Sequence, residues 1–133
     1  MNRDDILQFL TALLSGVWIH GSLVDDLLPI LSNSGSETKF FNLLLARLKW
    51  LQERGVQATT HKEFEPISNG IYSMHLAGNG FNIRILYAFA PDQSPVLLTA
   101  FFERGGKRKT SYEPYIPVAQ RRMKEEMEAH GYV

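Results

Sequence analysis

Apolar positions in residues 4–14, DDILQFLTALL, recur at helical spacing. Ile6, Leu10, Leu13 and Leu14 share a face, two acids occupy the first turn, and Gly16 offers a stop. The next stretch, VWIHGSLVDDLLPILSNSGS, predicts a short helix near Leu23–Leu31, broken or kinked around Pro29 and followed by a polar turn. The clearest helix runs from Glu37 to Arg54. Ser36 is placed to cap it, Phe40, Leu44, Leu48 and Leu51 form a stripe widened by Phe41 and Leu45, and Gly55 terminates it.

After Gly55 the period becomes two-fold. GIYSMHLAGNGFNIRILYAFAPDQSPVLLTAFFER contains three strand-like runs, the first two joined by AGNG, a composition that tolerates positive φ, and the last two by PDQS. In the second run Phe81, Ile83, Ile85, Tyr87 and Phe89 share one face, and Asn82, Arg84, Leu86 and Ala88 the other. Connections this short imply an antiparallel meander. A final helix is predicted from about Ile116 to Ala129, with Gly131 just beyond it and Val118, Met123 and Met127 available to face the sheet. Helices, then antiparallel strands, then a helix make an α+β fold.

A chain of 133 residues suits one domain spanning 1–133, and 44% apolar with 21% charged residues argues for a folded chain. The absence of cysteine excludes disulfides and thiolate-bound zinc, and makes a cytoplasmic location the expectation. Four scattered histidines show no i, i+4 pair, so no metal or other cofactor is expected. No apolar run approaches the ~18–20 residues of a membrane span, and the opening MNRDD does not fit a secretory signal.

Charge changes the picture through its distribution. The net charge is zero, yet Arg104 to Lys124 holds seven basic residues against Glu113 alone. Arg104, Lys107, Arg108 and Lys109 follow an apolar strand, with the pair Gly105–Gly106 freeing the chain to turn. Arg84, in mid-strand between Ile83 and Ile85, must face an anion, a carboxylate such as Glu103, or solvent. If its face is concave, Arg84, His75 and the basic segment converge on a groove suited to phosphate. Tyr112 and Tyr115 suit base stacking or proton handling, and equally suit packing the last helix on the sheet. Glu63 and Glu65 are two apart in HKEFEP, with nothing nearby in the chain that demands acid/base work.

The order of these features carries a resemblance. Ile67–Met74, Arg84–Tyr87, Leu97–Phe101, Lys107–Thr110 and Ala119–Met123 together resemble the RelE/ParE superfamily of bacterial toxins, most closely its phage-derived HigB-like branch. The resemblance covers about Phe64 to Glu126, and residues 1–33 read as an N-terminal addition. It implies helices packed on a twisted antiparallel sheet with a C-terminal helix. It also implies the toxin of a type II toxin–antitoxin pair, in its RNase branches a metal-independent endoribonuclease that cuts mRNA, commonly in the ribosomal A site. By position, Arg84 resembles the arginine on the scissile phosphate, and Lys107 and Lys109 the catalytic basic-loop residues. Tyr112 corresponds to the residue that stacks or assists proton transfer; Arg104, Arg108, His75 and Tyr115 then line the RNA. Glu103 stands where lysine is common, and His75 where arginine or lysine is common. The implied partner is a small antitoxin with a helix-turn-helix domain. Alternatives are a ParE-like gyrase-binding toxin without nuclease activity, and a non-catalytic nucleic-acid-binding or phage accessory protein.

Overall fold

The computed structural model describes residues 2–13, 15–31, 35–103 and 112–132. Three helices come first: α1 (Arg3–Leu13), α2 (Gly21–Leu31) and α3 (Glu37–Arg54). In α1 the predicted Ile6 and Leu10 are buried, while Leu14 lies outside the described residues. Helix α2 continues through Pro29 instead of breaking there. Proline removes one donor and frees one carbonyl, whereas continuing the helix buries Leu23, Val24, Leu27 and Leu31 together. The predicted α3 is found with its bounds and its buried stripe of Phe40, Phe41, Leu44, Leu48 and Leu51. Ser36 does not act as the expected side-chain cap; its hydroxyl donates to Asn79 O at 2.8 Å and ties the helix start to a strand turn. Gly55, at φ 56°, ends α3, and a 3-10 turn, Gly55–Thr60, follows.

The sheet has five strands in the order β1-β5-β4-β3-β2: β1 (Trp18–Ile19), β2 (Phe64–Ser68), β3 (Ile71–Gly78), β4 (Phe81–Phe89) and β5 (Pro95–Phe102). The three predicted strands form the antiparallel meander β3-β4-β5, with Gly80 at φ 91° in the AGNG turn. β2 adds an antiparallel edge and β1 a two-residue parallel edge. Neither edge was predicted, because β2 is interrupted by Pro66 and β1 is too short to show a period. Helix α4 (Ile116–Ala129) completes an α+β fold.

Each face of the sheet has its own core. The face bearing Met74, Leu76, Ile83, Ile85 and Tyr87 packs on α1, α2 and α3. On the other, Leu86, Ala88, Leu98 and Phe101 meet Ala119 and Met123 of α4. Of the three residues expected to face the sheet from α4, Met123 packs against this cluster, and Ala119 is the fully buried residue of the helix. Among the described residues no helix is long and apolar enough to cross a membrane.

One side chain ties both layers to the sheet's edge. β1 pairs β5 only at Val96 and Leu97, so the outer backbone groups of β5 beyond that point need other partners. Asp26 of α2 accepts from Ala100 N at 3.2 Å and Thr99 Oγ1 at 2.9 Å, and pairs with Arg122 of α4 at 2.5 Å. Arg122 in turn donates to Leu98 O at 2.9 Å. Asp26→Ala would strand an amide, a hydroxyl and a guanidinium together. It is expected to destabilise the fold by about 2–3 kcal/mol. Urea denaturation should show this as a lower midpoint at unchanged slope, and an unchanged midpoint would refute the bridging role.

Candidate functional site

On the α4 face of the sheet the strand side chains change character halfway along. Leu86 and Ala88 lie under α4, but two and four residues earlier the same face of β4 carries Arg84 and Asn82. The register places His75 of β3 opposite Arg84, and Ser73 opposite Leu86. Glu65 of β2 pairs with Ser73, and Glu103 follows the end of β5 two residues after Phe101, the partner of Arg84. Four adjacent strands therefore deliver one polar cluster, which α4 leaves uncovered.

Arg84 is its centre. Nε donates to Glu103 Oε2 at 2.8 Å and Nη2 to Glu103 Oε1 at 3.3 Å, a two-pronged pair, while Nη1 stands 3.9 Å from Glu65 Oε1. The side chains of Arg84 and Glu103 are only 16% and 17% exposed, so the pair is largely withdrawn from water. Asn82 Nδ2 donates to the Glu103 carbonyl at 3.1 Å, which turns Oδ1 toward His75 Nε2 at 2.6 Å. That orientation requires the proton of a neutral His75 to sit on Nε2. His75 also lies 3.3 Å from Glu103 and 3.7 Å from Glu63, and Arg47 of α3 stands 3.9 Å from Glu63. Tyr112 donates its hydroxyl to Glu65 and lies 3.2 Å from Ser73 Oγ.

Of the residues singled out in the sequence, Arg84, His75 and Tyr112 thus meet in one network. Tyr115 stands beside it, its ring stacked on Phe101 at 3.9 Å and 4°, and it packs the start of α4 on the sheet. Arg104, Lys107, Arg108 and Lys109 lie outside the described residues. The residues that bracket that segment, Glu103 and Tyr112, both belong to the network. Ser73, Glu63 and Glu65 were not assigned to a site. Glu65 lies in β2, and Glu63 in the turn just before it, so recognising β2 would have pointed to Glu65.

A family model matches residues 37–124, which run from the first residue of α3 into α4. The chain belongs to the phage-derived protein Gp49-like family (DUF891). This family is associated with RelE/HigB-like toxins. The Gp49-like region contains every member of the polar network, from Arg47 to Tyr112, whereas α1, β1 and α2 precede it. Comparison with curated proteins found no match.

The network fixes the chemistry open to its phenol. Burial first, and then the hydrogen bond to Glu65, push the Tyr112 pKa up to about 12 against smaller opposing effects of Ser73 and Arg84. At neutral pH Tyr112 is therefore a proton donor and not a base. Because the folded pKa lies above the unfolded one, its stabilising contribution is complete below about pH 10 and is lost as pH rises through about 12. The difference in ultraviolet phenolate absorbance between the native chain and Tyr112→Phe should titrate near 12. A midpoint near 10 would mean that the hydroxyl is neither withdrawn from water nor held by Glu65.

Proposed function

We propose that this Gp49-like chain is the toxin of a toxin–antitoxin pair and acts as a metal-independent mRNA endoribonuclease, with Arg84 at the centre of its site. One observation carries the reading. In a toxin-associated family, Arg84, His75 and Tyr112 converge on one sheet face, and the residues that bracket the four-cation segment belong to the same cluster.

In the proposed reaction the ribose 2′-oxygen attacks the adjacent phosphorus, the bond to the 5′-oxygen breaks, and a 2′,3′-cyclic phosphate and a 5′-hydroxyl result. The proton leaves the 2′-hydroxyl for a base and a proton reaches the departing oxygen. Arg84 offers two parallel donors to the phosphorane oxygens, where negative charge accumulates, and Lys107 and Lys109 add point charges. Tyr112, protonated throughout the neutral range, supplies a hydrogen bond or the leaving group's proton. Arg104, Arg108, His75 and Tyr115 are assigned to RNA contact. The neutralising partner is a small antitoxin with a helix-turn-helix domain, and the site of action is mRNA, on the ribosome in the form the resemblance implies.

A non-catalytic reading is favoured by one feature, the occupation of Arg84's donors by Glu103. The two readings part on one substitution. Arg84→Ala should lower transcript cleavage by at least ~100-fold, as for loss of a transition-state donor, while leaving the fold and antitoxin binding intact. Mapping transcript 5′ ends after induction measures this. Growth arrest with uncut transcripts in the unsubstituted protein would instead support a gyrase-directed or other protein-binding toxin.

A further inference from the structure

The guanidinium placed to grip phosphate is already gripping a carboxylate. Glu103 fills the same two donors of Arg84 that a phosphate would need, at 2.8 and 3.3 Å, in a setting where both side chains are less than one-fifth exposed. The carboxylate is itself held. Its oxygen lies 3.3 Å from His75 Nε2, and its own backbone is fixed by Glu103 N donating to Asn82 O at 2.8 Å and by Asn82 Nδ2 donating to Glu103 O at 3.1 Å. The remaining arm of Arg84 faces a second acid, Glu65, at 3.9 Å.

We infer that Glu103 is a resident anion that competes with RNA phosphate for Arg84, an autoinhibitory latch on the site. This inference rests on the proposed RNA-directed function and adds its regulation. An incoming phosphate must displace the carboxylate before Arg84 can serve it, so affinity is lower than the cations alone would provide. A chain with the latch removed binds nucleic acid without that competition.

The test measures binding of a hexaribonucleotide methylated at every 2′-oxygen, which cannot undergo self-attack and so separates binding from cleavage. Glu103→Gln, nearly isosteric, should tighten binding at least tenfold, and Glu103→Asp, with one methylene less to reach across, should give a smaller gain. The log–log salt slope should steepen by about 0.7, the increment for one further phosphate contact on a single strand. Glu128→Gln removes the same charge from an exposed position on α4 and should change little. The gain must vanish in an Arg84→Ala background. Thermal melts confirm that each variant is folded. Unchanged or weaker binding by both Glu103 variants, a gain that survives Arg84→Ala, or an equal gain from Glu128→Gln would overturn the latch. Transcript cleavage is scored separately: a chain that behaves as stated but cuts no RNA would overturn the nuclease reading and leave the latch standing.

Discussion

A half-buried guanidinium in the middle of a strand requires an anion, and in this molecule the arrangement of the polar face follows from how that requirement is met. Arg84 lies between Ile83 and Ile85, whose side chains enter the core on the opposite face. Taking its charge out of water without a partner would cost several kcal/mol. The meander supplies the partner diagonally across, just past the end of β5, where Glu103 closes a two-pronged pair. Once that pair is in place, the neighbouring polar groups have defined directions. Asn82 reads the backbone of Glu103, His75 reads Asn82, and Glu65 lies between Arg84 and Tyr112.

The rest of the fold holds α4 over the other half of this face. Helix α4 sits over Leu86, Ala88 and Leu98, anchored at one end by the stack of Tyr115 on Phe101 and along its length by Arg122 on Asp26. Near its C-terminal end, His20 meets Glu125 at 2.9 Å and Trp18 stacks on His130 at 3.6 Å. These contacts draw α4 toward the β1–β5 edge and away from Arg84. Asp26 holds β5 at Thr99 and Ala100, immediately before Phe101, the register partner of Arg84, so the anchor of α2 and α4 lies beside the strand position that carries the site.

Much of the fold was legible because its elements are long and periodic. The stripe of α3, the alternation in β4 and the span of α4 are written plainly in apolar spacing. The misses have physical causes. A serine before a helix is read as a cap whose oxygen accepts from the first turn, but the Ser36 hydroxyl is turned to donate to the Asn79 carbonyl, which only tertiary contact brings near. Pro29 predicts a break or a kink, yet the helix continues through it, since one lost donor weighs less than a continuous buried face. At the site, strand alternation predicts that Arg84 and His75 converge with the basic segment, and the order of motifs adds Tyr112; Arg84, His75 and Tyr112 do meet, while the basic segment lies outside the described residues. The carboxylates around them have no strand pattern to place them, since Glu65 belongs to an edge strand that carries a proline and no clean alternation, and Glu63 to the turn before it. Glu103 was visible as a departure and as a possible partner of Arg84, but choosing between carboxylate and phosphate needed the cross-strand register.

The account stands on Arg84 being the group that meets RNA. Nitrogen-15 spectroscopy of the arginine side chains reads this directly, because the Nε–H of Arg84 is the donor nearest Glu103. On saturation with an uncleavable oligoribonucleotide, that resonance should move as phosphate replaces carboxylate, while the side-chain signals of Arg122, held by Asp26 at the far edge, remain in place. An Arg84 resonance that stays put while RNA is bound elsewhere on the chain would contradict the account.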